Sequence, residues 1–149
     1  MKNRTFSALT VAAFLAASAA LVGCSKQAPE QGEQKTSAPA SDVIKIGVFQ
    51  PLTGANSAGG ADELEGIKLA NKLYPTALGK KVELVIVDNK SDKVEAANAA
   101  TVLTQKEKVN AVLGSWGSSL SMSGGPIFAE AKIPAVALSA TNPNVTKGN

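Results

Sequence analysis

The chain has 149 residues, with no histidine, a single cysteine, and 15 basic against 12 acidic residues for a net charge of +3. Without histidine, Ser-His-Asp and Cys-His catalysis are excluded, and a zinc or copper site would have to rely on carboxylates alone. No group of lysines and arginines is interleaved with aromatic residues. We therefore expect no nucleic-acid partner, no metal and no other cofactor.

The N-terminus has the pattern of an export signal. Two basic residues precede an uncharged run of apolar and small residues over positions 6–22, borderline in length for a membrane span and diluted by Ala and Ser. The run ends in LVGC at positions 21–24, which resembles the lipobox cleaved by lipoprotein signal peptidase. Cys24 has no second cysteine to pair with, so the alternative to acylation is a buried free thiol or an intermolecular disulfide. We predict a signal peptide over residues 1–23 and lipid on Cys24 as a membrane anchor.

A polar segment separates this anchor from the rest of the chain. Residues 25–42 contain no aromatic residue and no aliphatic residue larger than Ala. Such a stretch cannot bury enough apolar surface to offset its chain entropy, so residues 24–42 are predicted to be the lipidated cysteine and a flexible tether. The exported protein would be held on the cell membrane or outer membrane, facing the periplasm or the cell exterior. Residues 43–149 form the predicted folded region.

In the folded region, short β-rich runs alternate with helical patterns. The predicted strands cover residues 43–49, 81–88, 110–114 and 133–138, and the predicted helices cover 61–75, 92–108 and 118–132. Gly124, Gly125 and Pro126 are expected to break the third helix or delay its start. The alternation predicts an α/β fold with a doubly wound, mostly parallel sheet and helices on both faces. Since no element follows the fourth strand, we expect the N-terminal piece of a longer protein.

Two patterns predict which side chains are buried. In the first helix, Leu64, Ile67 and Leu69 lie near one face, and acidic residues in the first turn suit the helix dipole. In the second strand, the continuous apolar run over residues 84–87 is typical of a strand covered on both faces. Ser91 or Asp92 is predicted to cap the second helix.

Four segments resemble the leucine/isoleucine/valine-binding family in order and spacing: IKIGVFQPLTG, KVELVIVDNKSD, AVLGSWGSS and IPAVALSATNPNVT. This family comprises type I periplasmic solute-binding proteins of ABC amino-acid importers. The resemblance extends from Val43 to Gly148. It implies two α/β lobes that bind ligand in the cleft between them, with residues 43–149 as the N-terminal part of the first lobe.

The fold class and the resemblance predict the same position for a ligand site. In open α/β sheets, ligand binds beyond the carboxyl ends of the strands at the switch point in strand order. With strand order 2-1-3-4, that point lies between the first and third strands. The loops concerned are residues 51–60, 115–121 and 139–143.

The resemblance implies a role for individual residues of these loops. Ser118 matches the serine that binds the ligand carboxylate, and Ser119 stands beside it at the start of the third helix, where N–H groups attract anions. Ser139 matches the residue whose carbonyl accepts from the ammonium, and Ala140 follows it in the same loop. Thr141 matches a threonine that contacts both ends of the ligand. The alternative for the serines and the threonine is local capping and turn formation.

Trp116 and Gly59 mark a departure from the family pattern. Branched-chain binders commonly place an aromatic residue over the ligand from the first loop, and the alignment puts Gly59 there. Either the pocket is larger, or Trp116 supplies the missing wall. Trp116 is equally compatible with packing inside the lobe.

The predicted function is capture of an amino acid, branched-chain or a related small solute, for delivery to an ABC permease in the membrane. An alternative function for the same fold is that of a ligand-sensing receptor that signals to a partner protein. An α/β enzyme is a weaker alternative, because Asp88 and Asp92 flank the second strand with no second acid or phosphate-binding loop beside them. We therefore predict that the protein is not an enzyme.

Overall fold

The computed structural model describes residues 42–147. The predicted signal peptide, the lipidation site Cys24 and residues 25–41 of the predicted tether lie outside the described residues.

The described elements alternate along the chain as the sequence predicts. The strands are β1 (Val43–Gln50), β2 (Thr76–Ala77), β3 (Lys80–Asp88), β4 (Ala111–Leu113) and β5 (Ala135–Val136). The helices are α1 (Ser57–Leu73), α2 (Lys93–Thr101) and α3 (Ser118–Glu130), with a π-helical turn at Val102–Lys106 and a 3₁₀ turn at Pro143–Thr146.

The strands form one five-stranded sheet in the order β2-β3-β1-β4-β5. The pairs β1–β3, β1–β4 and β4–β5 are parallel. The four predicted strands correspond to β1, β3, β4 and β5, so the predicted order 2-1-3-4 and the α/β fold class are confirmed. Strand β2 was not predicted; it pairs antiparallel with β3 through a turn in which Leu78 and Gly79 both have positive φ, as a tight hairpin requires.

The core lies on both faces of the sheet, because successive side chains of a strand point in opposite directions. On one face Val48 packs with Leu64 and Ile67 of α1. On the other face Phe49 packs with apolar residues of α2, the π-helical turn and α3. Phe49 and Phe128 meet edge to face, with ring centroids 5.4 Å apart. Helices therefore cover both faces, as predicted.

Helix α1 begins earlier than predicted, at Ser57 rather than at residue 61. The two glycines that suggested a loop lie inside the helix, since each allows a close approach: a Cβ on Gly60 would lie 2.1 Å from the carbonyl oxygen of Pro51. The expected acids of the first turn consequently fall beyond it, in the second and third turns. The prediction for Leu69 was also wrong, because its side chain is 57% exposed.

Two further predictions, on β3 and on α3, are wrong. Ile86 of β3 is 42% exposed, so the run over residues 84–87 is not covered on both faces. Helix α3 is continuous through Gly124, Gly125 and Pro126. Gly124 is favoured there because it lies against the Phe49 ring, where a Cβ would be 2.9 Å from Cζ. Packing of α3 on the sheet therefore outweighs the local cost of these residues. Within residues 42–147, no helix is long and apolar enough to cross a membrane.

Candidate ligand-binding site

A buried glutamine organises the carboxyl edge of the sheet. Gln50 is the last residue of β1 and is fully buried. Its Oε1 accepts from the backbone N–H of Trp116 at 2.8 Å, and its Nε2 donates to Oε2 of Glu63 at 2.6 Å. One side chain thus joins the end of β1 to helix α1 and to the loop that follows β4.

A second polar group fixes the loop between β4 and α3. The amide of Asn89, which follows β3, donates to the hydroxyl of Ser115 at 2.9 Å, and both residues are fully buried. The Ser121 hydroxyl accepts from the N–H of Ser115 and donates to its carbonyl. Because buried polar groups that satisfy one another are costly to separate, this loop is held rigidly in place.

The structure brings Ser118 and Thr141 together. The Ser118 hydroxyl oxygen accepts from the N–H groups of Thr141 at 3.2 Å and of Asn142 at 3.1 Å. A hydroxyl has two acceptor positions and one hydrogen to donate. Since both acceptor positions are used, the hydrogen is free to donate elsewhere. Ser118 also stands at the first turn of α3, where backbone N–H groups lack partners inside the helix. Together these groups form a donor-rich patch suited to a carboxylate.

Ser139 contacts a residue that the sequence did not single out. Its hydroxyl donates to Oε1 of Glu63. Glu63 therefore bridges Gln50 and Ser139, and so connects the end of β1 to the loop after β5. A feature of the sequence that could have singled out Gln50 is its position: it is a polar residue that directly follows the apolar run over residues 43–49 and precedes Pro51. Nothing local distinguishes Glu63 from Asp62 or Glu65 on the same helix.

Trp116 packs directly against Gly59 of α1. A Cβ on Gly59 would lie 2.3 Å from Cε2 of the indole, so the ring fills the space that a side chain at position 59 would take. The indole is nevertheless 37% exposed. Trp116 thus packs against α1 and is also partly open to solvent, in the loop that precedes Ser118.

Ser119 and Ala140 take no part in the hydrogen-bonded groups described above. The Ser119 side chain is exposed, and its carbonyl accepts from the Ser123 hydroxyl within α3. Ala140 lines a largely apolar groove of about 570 Å³ between α3 and the chain after β5. Thr141 borders that groove too, whereas Ser118, Ser139 and Trp116 do not. Two of the six predicted ligand contacts therefore line this groove, and the other four lie outside its lining.

The two aspartates considered as possible catalytic groups both have structural contacts. Asp92 accepts from the N–H groups of Val94 and Glu95 at 2.8 and 3.0 Å, which confirms it as the cap of α2. Asp88 accepts from the Thr53 hydroxyl and from backbone N–H groups of residues 52, 53 and 90. Burial raises the pKa of Asp88, but these hydrogen bonds together lower it below its ordinary value. In the described part of the chain, no three residues among His, Cys, Asp and Glu are grouped to hold a metal ion.

The sequence profile of the periplasmic binding protein family matches residues 43–149. The chain belongs to this family. An amino acid binding protein of Pseudomonas aeruginosa is 34% identical over 110 residues, which cover 72% of this chain and 29% of that relative. Membership in this family of solute-binding proteins indicates a location outside the cytoplasm, and it confirms the resemblance seen in the sequence.

Solved structures of periplasmic binding proteins share this fold. A leucine binding protein from Thermotoga maritima is 47% identical with a TM-score of 0.70, over 71% of this chain and 30% of that one. A branched-chain amino acid binding protein from Streptococcus pneumoniae, in complex with isoleucine, is 35% identical with a TM-score of 0.68, over 71% and 31%. A solute binding protein from Rhodopseudomonas palustris, in complex with 3,4-dihydroxybenzoic acid, is 27% identical with a TM-score of 0.69, over 72% and 30%. This chain therefore spans less than a third of the length of each.

Proposed function

We propose that this chain is the N-terminal part of the first lobe of an extracytoplasmic substrate-binding lipoprotein. It captures an amino acid, branched-chain or closely related, and delivers it to an ABC permease. The proposal is supported by relatives that bind leucine or isoleucine and by one observation in this chain: the Ser118 hydroxyl beside the N-terminus of α3. We infer that the protein is not an enzyme. Its membership in a family of solute-binding proteins supports this inference.

The role proposed for Ser118 follows from its hydrogen bonds. Two backbone N–H groups occupy the acceptor positions of its oxygen, so the hydrogen is directed away from Thr141 and Asn142. A ligand carboxylate placed there accepts from this hydroxyl and from N–H groups of α3 at once. Hydrogen bonds to a charged group are stronger than those between neutral groups. The Ser139 carbonyl is proposed to accept from the ammonium, Thr141 to contact both ends of the ligand, and Trp116 to form an apolar wall.

Calorimetry on the full-length protein, with the sequence that follows residue 149 included, tests this function. A panel of the twenty amino acids, benzoate and 4-hydroxybenzoate should yield binding to leucine, isoleucine or valine at micromolar or lower Kd. The function would be refuted if no amino acid bound while wild-type protein melted cooperatively.

Ser118→Ala tests the proposed contact, with Ser123→Ala as the matched control. Both changes remove one hydroxyl from α3, but the Ser123 hydroxyl bonds only a carbonyl of its own helix. Loss of one hydrogen bond to a charged group should weaken amino-acid binding by about 10- to 100-fold in Ser118→Ala. The control should bind like wild type. Equal affinities in the two variants would show that Ser118 does not contact the ligand.

The lipid anchor is a separate proposal with its own test. We propose that Cys24 carries the acyl chains and that the mature protein is retained in the membrane fraction. Expression of Cys24→Ser should yield unlipidated protein, detected by mass spectrometry of the N-terminal peptide and by release from washed membranes. A wild-type N-terminal peptide with an unmodified Cys24 would contradict the proposal.

A further inference from the structure

Glu63 is a carboxylate held in a defined position at the site. Its Oε2 accepts from Nε2 of Gln50 at 2.6 Å, and its Oε1 accepts from the hydroxyl of Ser139. Gln50 is fully buried at the end of β1, so one of the two anchors is fixed. A carboxylate has about four acceptor positions. Two of them therefore remain for a further donor.

No cation neutralises this carboxylate in residues 42–147. The ion pairs there join lysines to Glu65, Glu83, Glu95 and Glu107. Arg4 is the only arginine of the chain and lies outside the described residues. Glu63 thus contributes a negative charge beside Ser139 that no lysine within the described residues pairs with.

A group of donors that favours an anion lies at the same edge of the sheet as Glu63. Ser118 and the N-terminus of α3 favour a carboxylate, because the helix dipole is positive at that end. Glu63 favours a cation next to the Ser139 loop, and Ser139 is linked to Thr141 through Ala140. The Thr141 N–H in turn donates to Ser118. The site therefore has one pole for an anion and one for a cation.

We propose that Glu63 is a specificity-determining residue of this lobe, which selects ligands that carry an ammonium beside their carboxylate. This rests on the proposed function and adds the residue that distinguishes an amino acid from a carboxylate that lacks an ammonium. Carboxylates without an ammonium, such as the 3,4-dihydroxybenzoic acid bound by the structural relative, are disfavoured by the same charge. Charge complementarity acts mainly on the choice between ligands, since a repulsive contact rejects the wrong one.

The test compares leucine with 4-methylpentanoate, which is leucine with hydrogen in place of the α-amino group. Full-length wild type, Glu63→Gln and Asp62→Asn are titrated with both by calorimetry. Glutamine keeps the shape of the side chain and can still accept from Gln50, but it removes the charge. Asp62→Asn removes one charge from the adjacent, exposed position and is the matched control.

Glu63→Gln should weaken leucine binding about tenfold and leave 4-methylpentanoate unchanged or tighter, so the preference for leucine falls about tenfold or more. Asp62→Asn should keep the wild-type preference. A preference that is unchanged in Glu63→Gln, or that falls equally in the control, would overturn the inference.

Wild-type protein also tests the inference without any substitution, should Glu63→Gln fail to fold. It should prefer leucine to 4-methylpentanoate by at least about tenfold; equal binding would overturn the role of Glu63 while leaving amino-acid binding intact. If wild type bound no amino acid but bound benzoate, the proposed function and the inference would both be wrong.

Discussion

Replacing Gly59 with alanine should destabilise the protein through one contact, the one with Trp116. The new Cβ would lie 2.3 Å from Cε2 of the indole. Carbon atoms in contact are about 3.5–4.0 Å apart, so the ring must retreat by about 1 Å or more. Overpacking of this kind costs about 1–3 kcal/mol. The value should lie within that range rather than above it, because the indole is partly exposed and has room to move.

The effect of Gly59→Ala should reverse once the indole is removed. In a Trp116→Ala background the new methyl group meets no ring, and alanine is favoured over glycine in a helix by about 0.5–1 kcal/mol. The two backgrounds should therefore differ by about 1.5–4 kcal/mol, a large coupling energy for two residues in contact. This sign reversal is the signature of a direct steric contact.

Wild type, the two single variants and the double variant form a double-mutant cycle. Urea unfolding of these four full-length proteins, followed by circular dichroism, measures their free energies of unfolding. Gly66→Ala is the matched control on the same helix, because a Cβ on Gly66 would meet nothing within 4 Å. It should stabilise the protein by about 0.5–1 kcal/mol. If Gly59→Ala stabilised the wild-type protein as Gly66→Ala does, the indole of Trp116 would not occupy the space beside Gly59.

Three further substitutions test the scaffold of the site. Asp92→Ala removes the cap of α2 and should cost about 1 kcal/mol in urea unfolding, whereas Asp92→Asn should cost little. The pKa of Asp88 is lowered in the folded protein, so its contribution to the free energy of unfolding is fully present above about pH 4 and is lost as pH falls through the folded-state pKa. Asp88→Asn should remove this part of the acid dependence. An unchanged curve of stability against pH in this variant would contradict the prediction. Gly114→Ala should cost about 3 kcal/mol or more, measured as a fall in Tm, because its Cβ would lie 2.2 Å from the Phe49 carbonyl oxygen at φ +114. A wild-type Tm in Gly114→Ala would refute this close approach.

Local patterns were sufficient for most of the fold. The apolar run at residues 43–49 and the acidic cap at Asp92 act over a few residues, and both appear where the sequence places them. The patterns failed where tertiary contacts outweigh local preference. Gly59 and Gly60 suggest a loop, yet they lie in α1 because Trp116 and Pro51 approach them closely.

The site was predictable in part. The switch point follows from strand order, and Ser118 does lie within hydrogen-bonding distance of the Thr141 N–H. Glu63 was not predictable, because acids at three nearby positions of α1 look alike in the sequence. Its contacts with Gln50 and with Ser139, 76 positions further along the chain, separate it from them.

The sequence by itself determined the alternation of strands and helices, the order of segments typical of a periplasmic binding protein, and the absence of histidine chemistry. These depend on side-chain periodicity and residue type, which are local properties. The tertiary structure alone decided that Gln50 joins Glu63 to the Trp116 backbone and that Trp116 fills the space beside Gly59. Such contacts depend on how the ends of separate strands and helices converge, and no local pattern encodes that convergence.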